Sequence, residues 1–205
     1  MTKEQILADL DYASSIAKDG ANTPLLGGPI GLMWGCLVVP TLIAHGAIME
    51  GLINLPQDKI GFIWMAYGII GTVIALILGR RMDKKPGSQS LLNKVGTALG
   101  ISVSILIFTF AITTVISAVL NNLPPYVFNY ILVFAFSLLT INYAVLAHLS
   151  RYTYLRIAAI IAGSFMTISL LMVTQNHVYF VAAAGVVLAQ IIPSLIEIKG
   201  EQRNG

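Results

Sequence analysis

Charged residues are scarce in this chain of 205 residues. Asp, Glu, Lys and Arg together make up 10% of it, against about 25% in soluble domains, while apolar residues reach 57%. So little charge excludes the surface of an ordinary soluble domain. The charge is also unevenly placed, because only Arg156 falls within one of six long apolar segments, close to the start of that segment.

Cysteine and histidine are almost as scarce, which limits the chemistry that the chain can perform. The single cysteine, Cys36, excludes an intrachain disulfide framework. The three histidines are His45, His148 and His177, and no Cys, His and carboxylate cluster has the spacing of zinc ligands. No carboxylate lies within the apolar segments, which argues against a proton relay or an ion-coupled carrier. We therefore predict no enzyme, no metal and no cofactor, and expect the histidines to make ordinary hydrogen bonds.

Six apolar segments account for most of the sequence. They cover residues 29–49, 60–79, 95–120, 126–148, 154–174 and 178–196. Each has about 20 residues or more, which as an α-helix crosses a hydrocarbon core of about 30 Å. The apolar runs are continuous rather than alternating, as helical spans require. The sequence predicts an all-α membrane protein, a single domain over residues 1–205 formed by a bundle of six transmembrane helices in a lipid bilayer.

Residues 1–28 precede the first span, and their pattern predicts a short cytoplasmic amphipathic helix followed by a hinge. Ile6, Leu7 and Leu10 form its apolar side. Its other side is acidic, which fits poorly with charge-driven binding to anionic lipid. We predict that this helix docks on the bundle or binds a protein partner on the cytoplasmic face; a solvated lead-in helix is the alternative.

The basic residues predict the orientation of the bundle. Eleven of the twelve Lys and Arg residues fall at the termini, in the even-numbered connections or, for Arg156, beside the fourth connection, and this bias places both termini in the cytoplasm. Because topology explains these residues, they do not indicate nucleic-acid binding. One cluster follows the second span and predicts contacts with anionic lipid headgroups, or else a plain topological anchor. Its members are Arg80, Arg81, Lys84 and Lys85. Small size and absent targeting signals indicate a bacterial inner membrane.

Uncharged polar residues within the spans are the remaining candidates for a site. Asn142 and Gln190 should point into the bundle, because an amide that faces lipid loses hydrogen bonds. Thr140 accompanies Asn142, and Thr109 and Thr113 share one face of the third span. These five residues predict hydrogen bonds that join helices, or alternatively a small polar cavity.

Glycine, proline and aromatic residues predict the shape of the bundle. Gly27, Gly31 and Gly35 recur every four residues and would allow a neighbouring helix to approach closely. Pro40 and Pro193 remove helix hydrogen bonds and should kink the first and sixth spans. Aromatic residues near the predicted outer ends indicate a belt at the headgroup level. They are Trp64, Tyr67, Tyr126, Tyr130 and Tyr179.

We predict a membrane component that binds or regulates a partner and has no catalytic site. Its contacts would be the N-terminal helix, the basic connection or the small-residue helix faces, and the same faces could form a homo-oligomer. The alternative is a passive channel or facilitator for a small neutral solute, lined by Ser, Thr, Asn and Gln.

Overall fold

The computed structural model of the chain describes residues 5–7, 24–150 and 152–204. Within these ranges all regular structure is helical, and six helices are long and apolar enough to cross a membrane. The prediction of an all-α chain with six apolar helices is therefore confirmed. Of the predicted N-terminal helix, only Gln5–Leu7 are described, and they are helical. Leu10 lies outside the described residues.

The helices closely follow the apolar segments. They are α1 (Gly28–Met49), α2 (Ile60–Met82), α3 (Leu91–Asn121), α4 (Tyr130–Ser150), α5 (Thr153–Leu171), α6 (Val178–Val186) and α7 (Ile192–Asn204). Short 3₁₀ turns at Gln57–Lys59 and Pro125–Asn129 precede α2 and α4. The third span begins earlier than its apolar segment, because Ser90 Oγ accepts a hydrogen bond from the Asn93 N–H and caps α3.

A π-helical segment, Val187–Ile191, joins α6 to α7, and the three together form the sixth span. Within this segment the Ile192 N–H bonds to the carbonyl of Val187, five residues earlier. Pro193 follows directly and has no N–H to continue the regular α-helical pattern. At Pro193 the expected distortion of the helix is therefore a local π-turn. Pro40, by contrast, lies within a continuous α1.

Four spans form the centre of the bundle. α4 packs along α5, and α1 packs against the sixth span, which also contacts α5. Their shared core includes Leu42, Phe136, Ala162 and Ala182, all almost fully buried. α2 packs mainly on α1, and α3 packs mainly on α4. In the most apolar stretch of each span, 6% of the residues of α2 and 11% of those of α3 are buried inside the protein. The corresponding share is 28–44% in the other spans. α2 and α3 are therefore peripheral.

The predicted glycine row of α1 lies where this helix meets the sixth span. A Cβ atom at Gly31 would overlap Ser194 Oγ, and one at Gly35 would lie 2.6 Å from Ile191 Cγ1. Close helix approach at this row is confirmed. The two helices approach because neither glycine carries a side chain, so their backbones and short polar groups come within bonding distance.

Candidate functional site

The polar residues predicted to form one cluster lie on different surfaces. Gln190 Nε2 donates a hydrogen bond to the Gly31 carbonyl at 3.0 Å and so joins the sixth span to α1. Thr140 Oγ1 donates to the Phe136 carbonyl of its own helix at 2.8 Å. Thr109 and Thr113 are exposed on α3. The geometry therefore gives Gln190 the role of a contact between helices, and it does not assemble the five residues into one polar lining.

Asn142 differs because its side-chain oxygen, Oδ1, is buried without a hydrogen-bond partner among the described residues. It shares a row of α4 with Phe134 and Leu146, at intervals of eight and four residues. Phe134 stacks on Phe110 of α3, with ring centroids 4.4 Å apart. Leu146 Cδ2 lies 3.6 Å from the position of a Cβ at Gly96 of α3. Asn142 is thus an unsatisfied acceptor on the face of α4 that meets α3.

Asn93, which the sequence analysis did not single out, organises the end of the bundle that carries Arg80–Lys85, here called the basic end. Its Nδ2 donates to the carbonyls of Pro24 and Gly87, each at 3.0 Å. Its Oδ1 accepts from the Leu26 N–H at 2.9 Å. One buried side chain therefore ties the segment before α1 to the α2–α3 connection. The sequence feature that could have identified Asn93 is its position three residues after Ser90, the residue that caps α3.

A cavity of about 120 Å³ lies at the same basic end. It is lined by Pro24, Leu25, Tyr152, Tyr154, Ile196, Glu197, Gly200 and Glu201. Tyr152 and Tyr154 stack with ring centroids 5.5 Å apart. Lys85 binds Glu201 in an ion pair and so connects the basic cluster to α7. Lys85 is therefore engaged within the chain, whereas Arg80, Arg81 and Lys84 are exposed.

The opposite end of the bundle contains an aromatic cluster around His45. Trp64 Nε1 donates to His45 Nδ1 at 3.1 Å, and the His45 ring stacks on Tyr179 with centroids 3.7 Å apart. Tyr179 is only 4% exposed. The prediction that Tyr179 belongs to an aromatic belt at the headgroups is thus wrong, because this side chain is packed between helices. Tyr126 and Tyr130 are exposed, as a belt requires. His45 makes the ordinary hydrogen bond that was expected of it, and His177 Nδ1 contacts Glu50 at 3.3 Å.

The N-terminal residues predicted to bind a partner are described only in part. Ile6 is 45% exposed and Leu7 is 54% exposed, so neither apolar side chain is covered by another described residue to any large extent. Leu10, the third member of the predicted apolar side, lies outside the described residues. The apolar side of this helix stays a prediction.

One side of α2 carries three glycines that no other described residue covers. Gly61, Gly68 and Gly79 are separated by seven and eleven residues, which places them within about 20° of one another around the helix axis. A Cβ atom at any of them would have no heavy atom of the described residues within 4 Å, apart from its two chain neighbours and the adjacent backbone of its own helix. Gly71 is different, because Trp34 of α1 occupies the space beside it. We call Gly61, Gly68 and Gly79 the open glycine face of α2.

Among the described residues there is no group of three or more His, Cys, Asp or Glu side chains that could hold a metal ion. Comparison with protein-family models, with curated proteins and with solved structures finds no match for this chain.

Proposed function

We propose that this chain is a non-enzymatic, multi-pass membrane component that binds another membrane protein through α2. The observation that carries the proposal is the open glycine face on a span that packs mainly against one neighbour. A partner helix seated there would approach the α2 backbone closely, as small residues permit in membranes.

The energetics of glycine support a partner at this face. A glycine in a helix interior costs about 0.8–1 kcal/mol relative to alanine. At Gly71 the packing of Trp34 offsets this cost. At Gly68 and Gly79, no contact of the described residues does so. A close-packed helix from a second protein, or from a second copy of this chain, would supply the missing contacts.

The last turn of α2 adds positive charge at one end of the same helix. Arg80 and Arg81 occupy its last turn, are exposed, and make no ion pair with another described residue. A partner whose membrane-adjacent segment is acidic would be attracted to this position, and anionic headgroups would be attracted in its absence. The predicted N-terminal helix offers a second contact on the same side of the membrane.

A substitution at Gly68 tests the proposal. Gly68→Leu should reduce the amount of co-purifying partner at least about tenfold after gentle detergent extraction from native membranes, because the leucine occupies the space of the approaching helix. The fold should be unaffected, since a Cβ at Gly68 meets no other part of the described chain within 4 Å. The measurement is quantitative mass spectrometry of the crosslinked complex, which also shows whether the partner is a second copy.

Gly100→Leu is the matched control, because Gly100 is an equally open glycine on α3. It should leave recovery of the partner unchanged. Equal recovery from wild type and Gly68→Leu would contradict the role of α2. If deletion of residues 2–19 alone abolished recovery, the partner site would lie on the N-terminal helix instead.

We also propose that both termini face the cytoplasm, in a bacterial inner membrane, which the distribution of Lys and Arg supports. With Cys36 replaced by serine, Gln57→Cys should react with a membrane-impermeant maleimide on intact cells. Gln89→Cys should react only after the membrane is opened. Both positions are exposed in connections at opposite ends of the bundle. Labelling of Gln89→Cys on intact cells would reverse the orientation.

The geometry gives less support to a facilitator. Gln190 is engaged with Gly31, Thr140 bonds to its own helix, and the exposed threonines of α3 lie away from the centre of the bundle. A path for a neutral solute would need such groups along one continuous surface.

A further inference from the structure

A groove of about 300 Å³ lies between α4 and α5, near the basic end. It is lined by Ala144, Ala147, His148, Arg156, Ala159 and Ile160. Three of these residues are alanines, which leave a shallow channel between the two helices. The groove is separate from the open glycine face of α2 and from the basic α2–α3 connection.

Arg156 is the one charged residue inside the six apolar segments of the sequence. It lies three residues after the start of α5, about 4.5 Å along the helix, which in a helix that spans a bilayer is close to the level of the headgroups. Its side chain is exposed and makes no ion pair or hydrogen bond with another described residue. An arginine at this depth is costly unless its guanidinium reaches an anion or water.

His148 lines the same groove from the last turn of α4. It is also exposed, and it makes no hydrogen bond with another described residue. An imidazole N–H is a hydrogen-bond donor even when the ring is neutral. The groove therefore presents a guanidinium fork and an imidazole, and none of its lining side chains carries negative charge.

The rest of the groove is apolar and continues into exposed hydrocarbon-facing surface. Ile160 is 70% exposed and Ile157, on the same helix, is 53% exposed. Such a surface fits an acyl chain, whereas a free inorganic anion would use only the polar end. The combination of phosphate donors and an apolar channel is what a phospholipid requires.

We propose that this groove binds one anionic phospholipid. Its phosphate would be held by Arg156, bidentately, and by His148. One acyl chain would lie along the alanine floor beside Ile160. Basic pockets between membrane helices on the cytoplasmic side bind anionic headgroups in this way. The site needs no partner protein, so this proposal is independent of the proposed binding role of α2.

The test uses the purified full-length chain in a neutral detergent, titrated with short-chain phosphatidylglycerol and followed by native mass spectrometry. We expect one tightly retained lipid, and an affinity for phosphatidylcholine at least about tenfold weaker. Arg156→Gln should weaken phosphatidylglycerol binding about tenfold, since a hydrogen-bonded charge is lost. Arg156→Lys should restore part of it. The control Lys94→Gln, at an exposed lysine of α3 that lies outside the groove, should leave the retained lipid in place.

Ala144→Phe distinguishes a lipid from a free anion. Ala144 is exposed and lines the groove, so the larger ring fills the channel without removing either polar group. It should weaken phosphatidylglycerol binding about tenfold. Competition by inorganic phosphate as strong as by the lipid would assign the site to a free anion and overturn the proposal. The proposal would also be overturned if Arg156→Gln and Ala144→Phe both bound phosphatidylglycerol as tightly as the wild type does. Equal affinity of the wild type for phosphatidylcholine and phosphatidylglycerol would overturn it as well. Thermal unfolding checks that each variant is folded, and His148→Gln replaces any variant that is not.

Discussion

Replacing Gly31 by valine should lower the free energy of unfolding of the bundle by about 3 kcal/mol. A Cβ at this position overlaps Ser194 Oγ, so α1 and the sixth span must move apart. The movement also breaks the hydrogen bond from Gln190 to the Gly31 carbonyl, and a bond of this kind between membrane helices contributes about 0.6 kcal/mol. The larger share of the loss comes from packing between two central spans.

Circular dichroism during titration of mixed micelles with a denaturing detergent measures this loss. Gly100→Val is the matched control, because a Cβ at Gly100 meets no heavy atom of the described residues within 4 Å. It should change the free energy of unfolding by less than about 0.5 kcal/mol. If the two variants unfolded at the same detergent fraction, the close approach of α1 to the sixth span would not contribute to stability. Gly31→Ala should fall between Gly31→Val and wild type.

Replacing Asn93 by alanine should lower the free energy of unfolding by about 2 kcal/mol and loosen the segment before α1. The substitution leaves the Leu26 N–H and the Pro24 carbonyl without their partner. Leu26 is 5% exposed, so water replaces the lost bond poorly. A buried group left without its hydrogen bond costs about 1–3 kcal/mol.

Hydrogen exchange at the Leu26 amide is the most direct measurement, and it should become at least about tenfold faster in Asn93→Ala. Asn121→Ala is the control, because the Asn121 amide is exposed and bonds only to Ser117, one turn earlier in the same helix. Exchange at Leu26 should be unchanged in that control. Unchanged exchange in Asn93→Ala would show that the segment before α1 is held by other contacts.

The spans were predictable from sequence because each one depends on its own residues. A run of about 20 apolar residues leaves water for lipid whatever its neighbours are, and such a run forms a helix because lipid offers its backbone no hydrogen bonds. Deviations arose where a local signal was overlooked. Ser90 extends α3 by one turn beyond its apolar segment, and Pro193 produces a π-turn rather than a simple kink.

The candidate sites were less predictable, because sequence spacing shows which residues share a helix face but not what that face meets. Thr109 and Thr113 do share a face of α3, yet the face is exposed because α3 packs mainly on α4. Tyr179 lies at the end of its helix, as expected of a belt residue, but the neighbouring His45 buries it. Asn93 gains its importance from Pro24, Leu26 and Gly87, and two of these lie nearly 70 positions away in the chain.

The sequence by itself determined that this protein is helical, that it has six helices of membrane length, and roughly where each of them lies, although the sixth extends well beyond its apolar segment. Only the tertiary structure decided which helices are central, which glycines are covered, and that Arg156 and His148 share one groove. The physical reason is that transfer into lipid is a property of one segment. Association inside lipid has no hydrophobic driving force and depends on how particular surfaces fit.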